Sequence, residues 1–264
     1  MTTLEILDVR KRWPTAGVDA LAGVTLRVNR GEKVYVLGAN GSGKTTLLKL
    51  VSGLLQPDEG RVLLEGVDIT RRPAEQRAAR IAHVLQDPSL GFNPEQTVLE
   101  HLLLAKASSE DVPFFFPKYR LRRELEGYLR GLGLAVADRI GNAVWTLSGG
   151  ERQALAVAMN LWRRPDVLLL DECKKELDEQ AQRQVDLLVA KVLEEVRPAM
   201  IVVTHDYEEA LAHADRILVL GGGRIVAEGS RNGSRNGHWS SDYVREQLWA
   251  SVQAEAHQGP EGRP

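Results

Sequence analysis

Val34-Tyr35-Val36-Leu37 runs directly into Gly38-Ala39-Asn40-Gly41-Ser42-Gly43-Lys44-Thr45, and no other stretch restricts the fold of this chain so severely. The apolar run is short and rich in β-branched residues, which suits a buried strand. The loop that follows carries three glycines, the residue that lets backbone turn and approach a ligand where a side chain would obstruct it. Thr45-Thr46-Leu47-Leu48-Lys49-Leu50-Val51 then has helical periodicity and stops at Ser52-Gly53. Strand, glycine loop and helix in this order gather backbone N–H groups and a helix N-terminus around one point, and that point attracts phosphate. Lys44 adds a point charge toward β and γ phosphates, and Thr45 adds a hydroxyl suited to Mg²⁺. The pattern predicts a nucleotide-binding loop made by Gly38, Ala39, Asn40, Gly41, Ser42, Gly43, Lys44, Thr45 and Thr46.

A second anchor is Val167-Leu168-Leu169-Leu170-Asp171-Glu172, an apolar strand that ends in two carboxylates. Beside a phosphate site, Asp171 suits the shell of a bound Mg²⁺. Glu172, one residue further along and so pointing differently, is placed to orient the attacking water. An apolar strand ending in Asp-Glu is common by itself; its pairing with the glycine loop is what makes it chemical.

Around these anchors the chain alternates strands and helices. Leu4–Val9 and Val24–Val28 read as strands before the glycine loop. Arg61–Leu64 and Val67–Ile69 flank Glu65-Gly66 as a hairpin, and Ile81–Gln86 reads as a further strand. A largely helical stretch follows over about 95–163. Val167–Asp171 and Met200–Thr204 then read as parallel core strands joined by a helix over 179–196, and Gly221-Gly222-Gly223 turns a last hairpin. Beyond it, Ser230-Arg231-Asn232-Gly233 repeats as Ser234-Arg235-Asn236-Gly237, a polar repeat read as a solvated loop, with a short terminal helix over 239–253 and a disordered tail expected after it.

Composition removes several function classes. Lys plus Arg is 34 against 36 for Asp plus Glu, a net charge of −2 that gives no global reason to bind nucleic acid. No apolar run approaches the roughly 20 residues that span a bilayer, and Met1–Glu5 lacks the basic flank and apolar stretch of a secretory signal. A single cysteine, Cys173, excludes an intrachain disulfide. The expectation is a cytoplasmic protein.

Leu147-Ser148-Gly149-Gly150-Glu151-Arg152-Gln153 narrows a general P-loop NTPase to one family, because it resembles the signature motif of the ABC ATPases. Ser148 and Glu151 have the S-x-x-E spacing of a capping box, which leaves the two adjacent glycines to be explained by close approach of backbone to a ligand. The resemblance covers about residues 4–228. It implies an α/β P-loop NTPase fold with an ABC-type antiparallel β subdomain and an inserted helical subdomain, residues 1–229 forming the ATPase domain, about 90–163 the helical subdomain, and 230–264 a polar loop and tail.

The same resemblance supplies the remaining roles. Gln86 matches the Q-loop that reaches Mg²⁺, and His205 matches the switch histidine that contacts the γ-phosphate and the catalytic water. Trp13, in Arg12-Trp13-Pro14, matches the aromatic residue that stacks on adenine. Glu172 and His205 are thus the catalytic pair, with Thr45, Gln86 and Asp171 around the metal. Ser148, Gly149 and Gly150 contact the nucleotide of a second ATPase subunit in a head-to-tail dimer, and Asp178 lies at that interface. Cys173-Lys174-Lys175-Glu176 departs from the family pattern; its lysines either meet acidic groups of the partner or face solvent.

The resemblance implies a homodimeric, ATP- and Mg²⁺-dependent subunit at the inner face of the cell membrane. It would energise small-molecule transport, in the import direction, through separate transmembrane permease subunits, with a substrate-binding protein as a further partner. All four phenylalanines lie between Phe92 and Phe116, in the neighbourhood that receives a helix of the permease in the family; a docking groove and a small core both account for them. Two other readings share the nucleotide motifs: a soluble ABC ATPase of a non-transport complex, and a nucleotide-binding regulatory module with little turnover.

Overall fold

The computed structural model describes residues 2–13, 17–87, 91–107, 118–162, 164–172, 177–230 and 246. In chain order its elements are β1 (Thr2–Trp13), β2 (Val18–Asn29), β3 (Lys33–Leu37), α1 (Lys44–Ser52), β4 (Glu59–Leu64), β5 (Val67–Asp68), α2 (Ala74–Arg77) and β6 (Ile81–Val84). They continue as α3 (Val98–Ala107), α4 (Lys118–Gly131), α5 (Gly149–Trp162), β7 (Val167–Asp171), α6 (Glu179–Glu195), β8 (Ala199–Val203), α7 (Tyr207–His213), β9 (Arg216–Gly221) and β10 (Arg224–Ser230). Two compact units result, one drawn from Met1–Arg77, Val167–Glu172 and Ala199–Pro264, the other from Ala78–Asp166 and Cys173–Pro198.

The first unit holds two sheets. One is antiparallel in the order β2-β1-β4-β5. In it β1 and β2 run much longer than the apolar runs at their centres, because cross-strand pairing from Thr2–Asn29 to Trp13–Val18 carries the ladder into polar residues. In the other sheet the order runs β10-β9-β3-β8-β7, with β3 parallel to both β8 and β9 and β7 parallel to β8. Every residue of β7 and β8 is buried. Such continuous apolar strands belong in a parallel sheet covered on both faces.

Arg77 ties α1 to the hairpin segment. Its buried guanidinium donates to the carbonyls of Leu50 and Val51 at the C-terminus of α1 and to those of Thr70 and Arg72. A cation at a helix C-terminus answers both its unpaired carbonyls and its dipole.

The second unit is mainly helical. Thr97 and Glu100 form a reciprocal capping box at the start of α3, with Glu100 Oε2 accepting from the Thr97 N–H at 2.7 Å and Thr97 Oγ1 from the Glu100 N–H at 3.2 Å. Tyr128 of α4 donates to the Ala158 carbonyl of α5 at 2.7 Å and meets the Trp162 ring edge-on at 4.5 Å. Phe92 packs edge-on against His101 with ring centroids 5.0 Å apart. Phe114, Phe115 and Phe116, the segment Cys173–Glu176, and the repeat and tail after Ser230, Glu246 apart, lie outside the described residues. Among the described residues no helix is long and apolar enough to cross a membrane.

Candidate active site

Strand β3 delivers the chain into the glycine loop, and tertiary packing fixes where the loop lies. A Cβ on Gly38 would sit 2.3 Å from the Leu220 carbonyl oxygen, and one on Gly43 would sit 2.3 Å from the Ala20 carbonyl oxygen. Gly43 is also the N-cap of α1, with φ 103° and no side chain to cap the helix. The first N–H groups of a helix have no partner within it, so an uncapped start presents donors to an anion. Ser42 is fully buried and its Oγ has no hydrogen-bond partner among the described residues. A buried hydroxyl left unsatisfied costs about 1–3 kcal/mol, and a phosphate oxygen in the loop would relieve that cost. Lys44, buried, donates from Nζ to the Gly38 and Ala39 carbonyls at 2.8 and 2.7 Å, which holds its charge inside the curve of the loop.

The two carboxylates at the end of β7 meet this loop from the sheet. Thr45 Oγ1 donates to Asp171 Oδ1 at 3.4 Å, so a hydroxyl and a carboxylate oxygen lie side by side. Burial, and then the neighbouring Glu172 charge, raise the Asp171 carboxyl above its ordinary range, against the Thr45 hydrogen bond and the charges of Lys49 and Lys44. Both donors are hard oxygens, and among the described residues no group of three or more His, Cys, Asp or Glu forms a cage. That donor set fits Mg²⁺, which is held by one or two protein oxygens together with water and substrate phosphate.

The raised pKa has a consequence for stability. A carboxyl with a folded pKa above its unfolded value penalises the folded state once it must ionise; the penalty grows as pH rises from the ordinary carboxylate range through the folded pKa, then stays constant. Asp171→Asn is therefore expected to raise the melting temperature of the nucleotide-free chain at neutral pH, with the gain vanishing in acid, while Mg²⁺-dependent nucleotide binding falls. Thermal scans at the two pH values, with and without MgATP, check both halves.

Glu172 sits just past β7 with φ 42°, a left-handed conformation that costs a non-glycine residue about 1 kcal/mol or more. Its N–H is held by the Val203 carbonyl at 3.0 Å, and its Oε1 lies 2.5 Å from His205 Nε2. The carboxylate side chain is 10% exposed and the imidazole 37%, so the pair reaches from interior to surface. His205 is set between β8 and a short helix with a built start. Asp206 caps α7 by accepting the Glu209 N–H at 3.0 Å, and Thr204 Oγ1 accepts the Asp206 N–H at 3.1 Å. The D-x-x-E spacing of Asp206 and Glu209, directly after His205, is a helix-start signal legible in the sequence.

The remaining site residues occupy other places. Trp13 ends β1 at 39% exposure, with Lys11 Nζ 6.0 Å from its ring centre, so it is not a core tryptophan. In the second unit, the Ser148 N–H donates to Glu151 Oε2 at 2.9 Å and the Glu151 N–H to Ser148 Oγ at 3.2 Å, a reciprocal capping box at the start of α5. Burial works against ionisation of Glu151, but the Ser148 N–H and then the Arg139 guanidinium outweigh it and hold its carboxyl below the ordinary range. A Cβ on Gly150 would lie 2.5 Å from Ala181 Cβ, whereas one on Gly149 would meet nothing within 4 Å. Asp178 Oδ1 accepts the Ala181 N–H at 2.8 Å and so caps α6. Gln86 is exposed just beyond β6.

Comparison with known proteins identifies the family. Residues 21–175 match the family model described as ABC transporter. The chain is 34% identical over 228 residues to the tyrosine transport ATP-binding protein of Clostridioides difficile, covering 85% of this chain and 91% of that protein. It is also 34% identical to the xylose/arabinose import ATP-binding protein XylG of Sulfolobus acidocaldarius, covering 84% of this chain and 86% of the relative. A third relative, the spermidine/putrescine import ATP-binding protein PotA of Vibrio cholerae, is 34% identical over 81% of this chain, which spans 54% of that relative's length. Among solved structures, the post-hydrolysis dimer of the ATP-binding cassette MJ0796 bound to ADP and Pi has TM-score 0.74 at 28% identity, covering 86% of this chain and 98% of that one. A nucleotide-free cassette of an ABC transporter has TM-score 0.74 at 25% identity, covering 96% of each chain. Transport subunits among the relatives do not favour the reading as an ATPase of a non-transport complex. With its glycine loop, its terminal carboxylates and these relatives, the chain belongs to the ABC transporter family, as an ATP-binding subunit of the P-loop NTPase fold.

Proposed function

We propose that this subunit hydrolyses MgATP at a site shared between two copies of the chain and so drives a solute through separate transmembrane permease subunits. The observation that carries the reading is the pair of adjacent contacts at the ends of β7 and β8, Thr45 with Asp171 and Glu172 with His205. Gly38 to Thr46 hold the phosphates and Trp13 stacks on adenine. Thr45, Asp171 and Gln86 hold Mg²⁺, which supplies charge neutralisation to the β and γ phosphates when bound.

Glu172 polarises the attacking water. His205, with Nε2–H directed at Glu172, fixes that carboxylate and faces the γ-phosphate. Ser148, Gly149 and Gly150 of the second copy close the site over the nucleotide, and Asp178 lies at the same interface. Residues 1–229 act as the ATPase domain, with about 90–163 as its helical subdomain. The activity belongs to the translocase class, and the subunit works as a homodimer bound peripherally at the inner face of the cell membrane.

Import of a small molecule, with a substrate-binding protein as a further partner, is supported by relatives named as import subunits. The reading is tested by affinity purification of the chain from detergent-solubilised membranes of its source cells. A polytopic membrane protein recovered in stoichiometric amount, and lost on washing the chain off, is the expected result. Recovery from the soluble fraction with only soluble partners would contradict it.

A further inference from the structure

Beside the antiparallel sheet of the first unit lies a groove of about 620 Å³, lined by Arg61, Arg71, Arg72, Asp68 and Thr70 with Gly60, Pro73 and Gln76. Its charge is unusual. Three exposed guanidiniums line it, and a fourth lies beneath, because buried Arg77 donates to the carbonyls of Thr70 and Arg72, two residues of the groove itself. Arg77 hydrogen-bonds only to carbonyl oxygens, and Asp68 is the one acid whose charge acts on it.

The one carboxylate in the lining, Asp68, accepts the Thr70 hydroxyl at 2.6 Å and the Thr70 N–H at 2.8 Å and acts on the charges of Arg61 and Arg77, so a single negative charge stands against four guanidiniums. Asp58, on which the charge of Arg71 acts, accepts Lys11 Nζ at 2.9 Å and the Arg12 N–H at 2.8 Å. The Arg71 guanidinium reaches the Pro57 carbonyl at 3.4 Å. Among the described residues the Arg72 guanidinium makes no hydrogen bond or ion pair, and that of Arg61 makes no hydrogen bond and meets the charge of Asp68. Guanidinium is the group whose planar fork matches phosphate oxygens in pairs.

We infer that this groove is a second anion site, separate from the glycine loop, that takes a phosphate-bearing anion between Arg61, Arg71 and Arg72. Its phosphate comes either from a soluble phosphorylated molecule or from an anionic lipid headgroup, and the two are told apart by experiment. Inorganic pyrophosphate is titrated calorimetrically into the chain already saturated with MgADP, and separately the chain is sedimented with phosphatidylcholine vesicles with or without phosphatidylglycerol. Both are repeated with the double variant R61Q/R72Q, whose replaced side chains are exposed and make no hydrogen bond among the described residues.

The expected result is uptake in one arm by the native chain, weakened about tenfold or more in the variant, with ATP affinity at the glycine loop unchanged within about twofold. Pyrophosphate binding identifies a soluble ligand, and vesicle binding that needs phosphatidylglycerol identifies a headgroup. Absence of both, equal binding by native chain and variant, or a parallel loss of ATP affinity overturns the inference.

Discussion

Glu172→Gln is expected to lower ATP turnover by about 10²–10⁴-fold, the usual contribution of a positioned general base, while ATP still binds. Glutamine keeps the shape of the side chain and an acceptor oxygen for His205 Nε2, which lies 2.5 Å from the native carboxylate. It loses the negative charge that draws a proton from water. Neither the loop carbonyls holding Lys44 nor the Thr45–Asp171 contact depends on Glu172, so affinity for the nucleotide stays within a few-fold. Phosphate release measured beside nucleotide binding separates the two effects. A variant that hydrolyses at more than a tenth of the native rate would assign the base to another group.

Gly43→Ala is expected to abolish nucleotide binding and to destabilise the fold by about 2–4 kcal/mol, from overpacking together with left-handed backbone strain. The new Cβ would lie 2.3 Å from the Ala20 carbonyl oxygen and 2.9 Å from Leu21 Cδ2, at φ 103°. Backbone cannot yield there cheaply, because Leu21 is fully buried and the neighbouring Ala22 N–H is held by the Gly223 carbonyl at 2.8 Å. Gly41→Ala is the informative contrast. Its φ is 88°, but its Cβ meets nothing within 4 Å, so the strain alone, about 1 kcal/mol, is expected. Equal shifts in melting temperature for the two variants would show that packing against Ala20 does not matter.

Much of this site is legible in the sequence because its chemistry is concentrated at places where periodic structure stops. The glycine loop follows an uninterrupted apolar strand, Asp171 and Glu172 end another, and His205 ends a third. The capping box of Ser148 and Glu151 depends on four successive residues and appears in the structure as its spacing predicts. Partners that are remote in sequence carry no such signal. Ala20, Leu220 and Ala181 press on Gly43, Gly38 and Gly150, yet nothing in those ordinary apolar residues marks them. Likewise, Arg77 reads as one arginine among several in a polar stretch, and only the tertiary structure buries it against four carbonyls. Strand length is not legible for the same reason, since the ladder between β1 and β2 extends from the apolar runs Leu4–Val9 and Val24–Val28 through polar residues that hydropathy does not distinguish from loop.

The proposed sharing of the site between two copies is tested most directly by mixing two inactive chains. Glu172→Gln lacks the base, and Ser148→Arg blocks the nucleotide of its partner; each homodimer is expected to be nearly silent. In a mixed dimer one site combines the native glycine loop and Glu172 of the Ser148→Arg chain with the native Ser148 of the other. ATP hydrolysis in the equimolar mixture is therefore predicted to recover to about a quarter of the native rate, as random pairing into a two-fold dimer requires. Activity in the mixture no greater than the mean of the two chains alone would contradict a site built from two subunits.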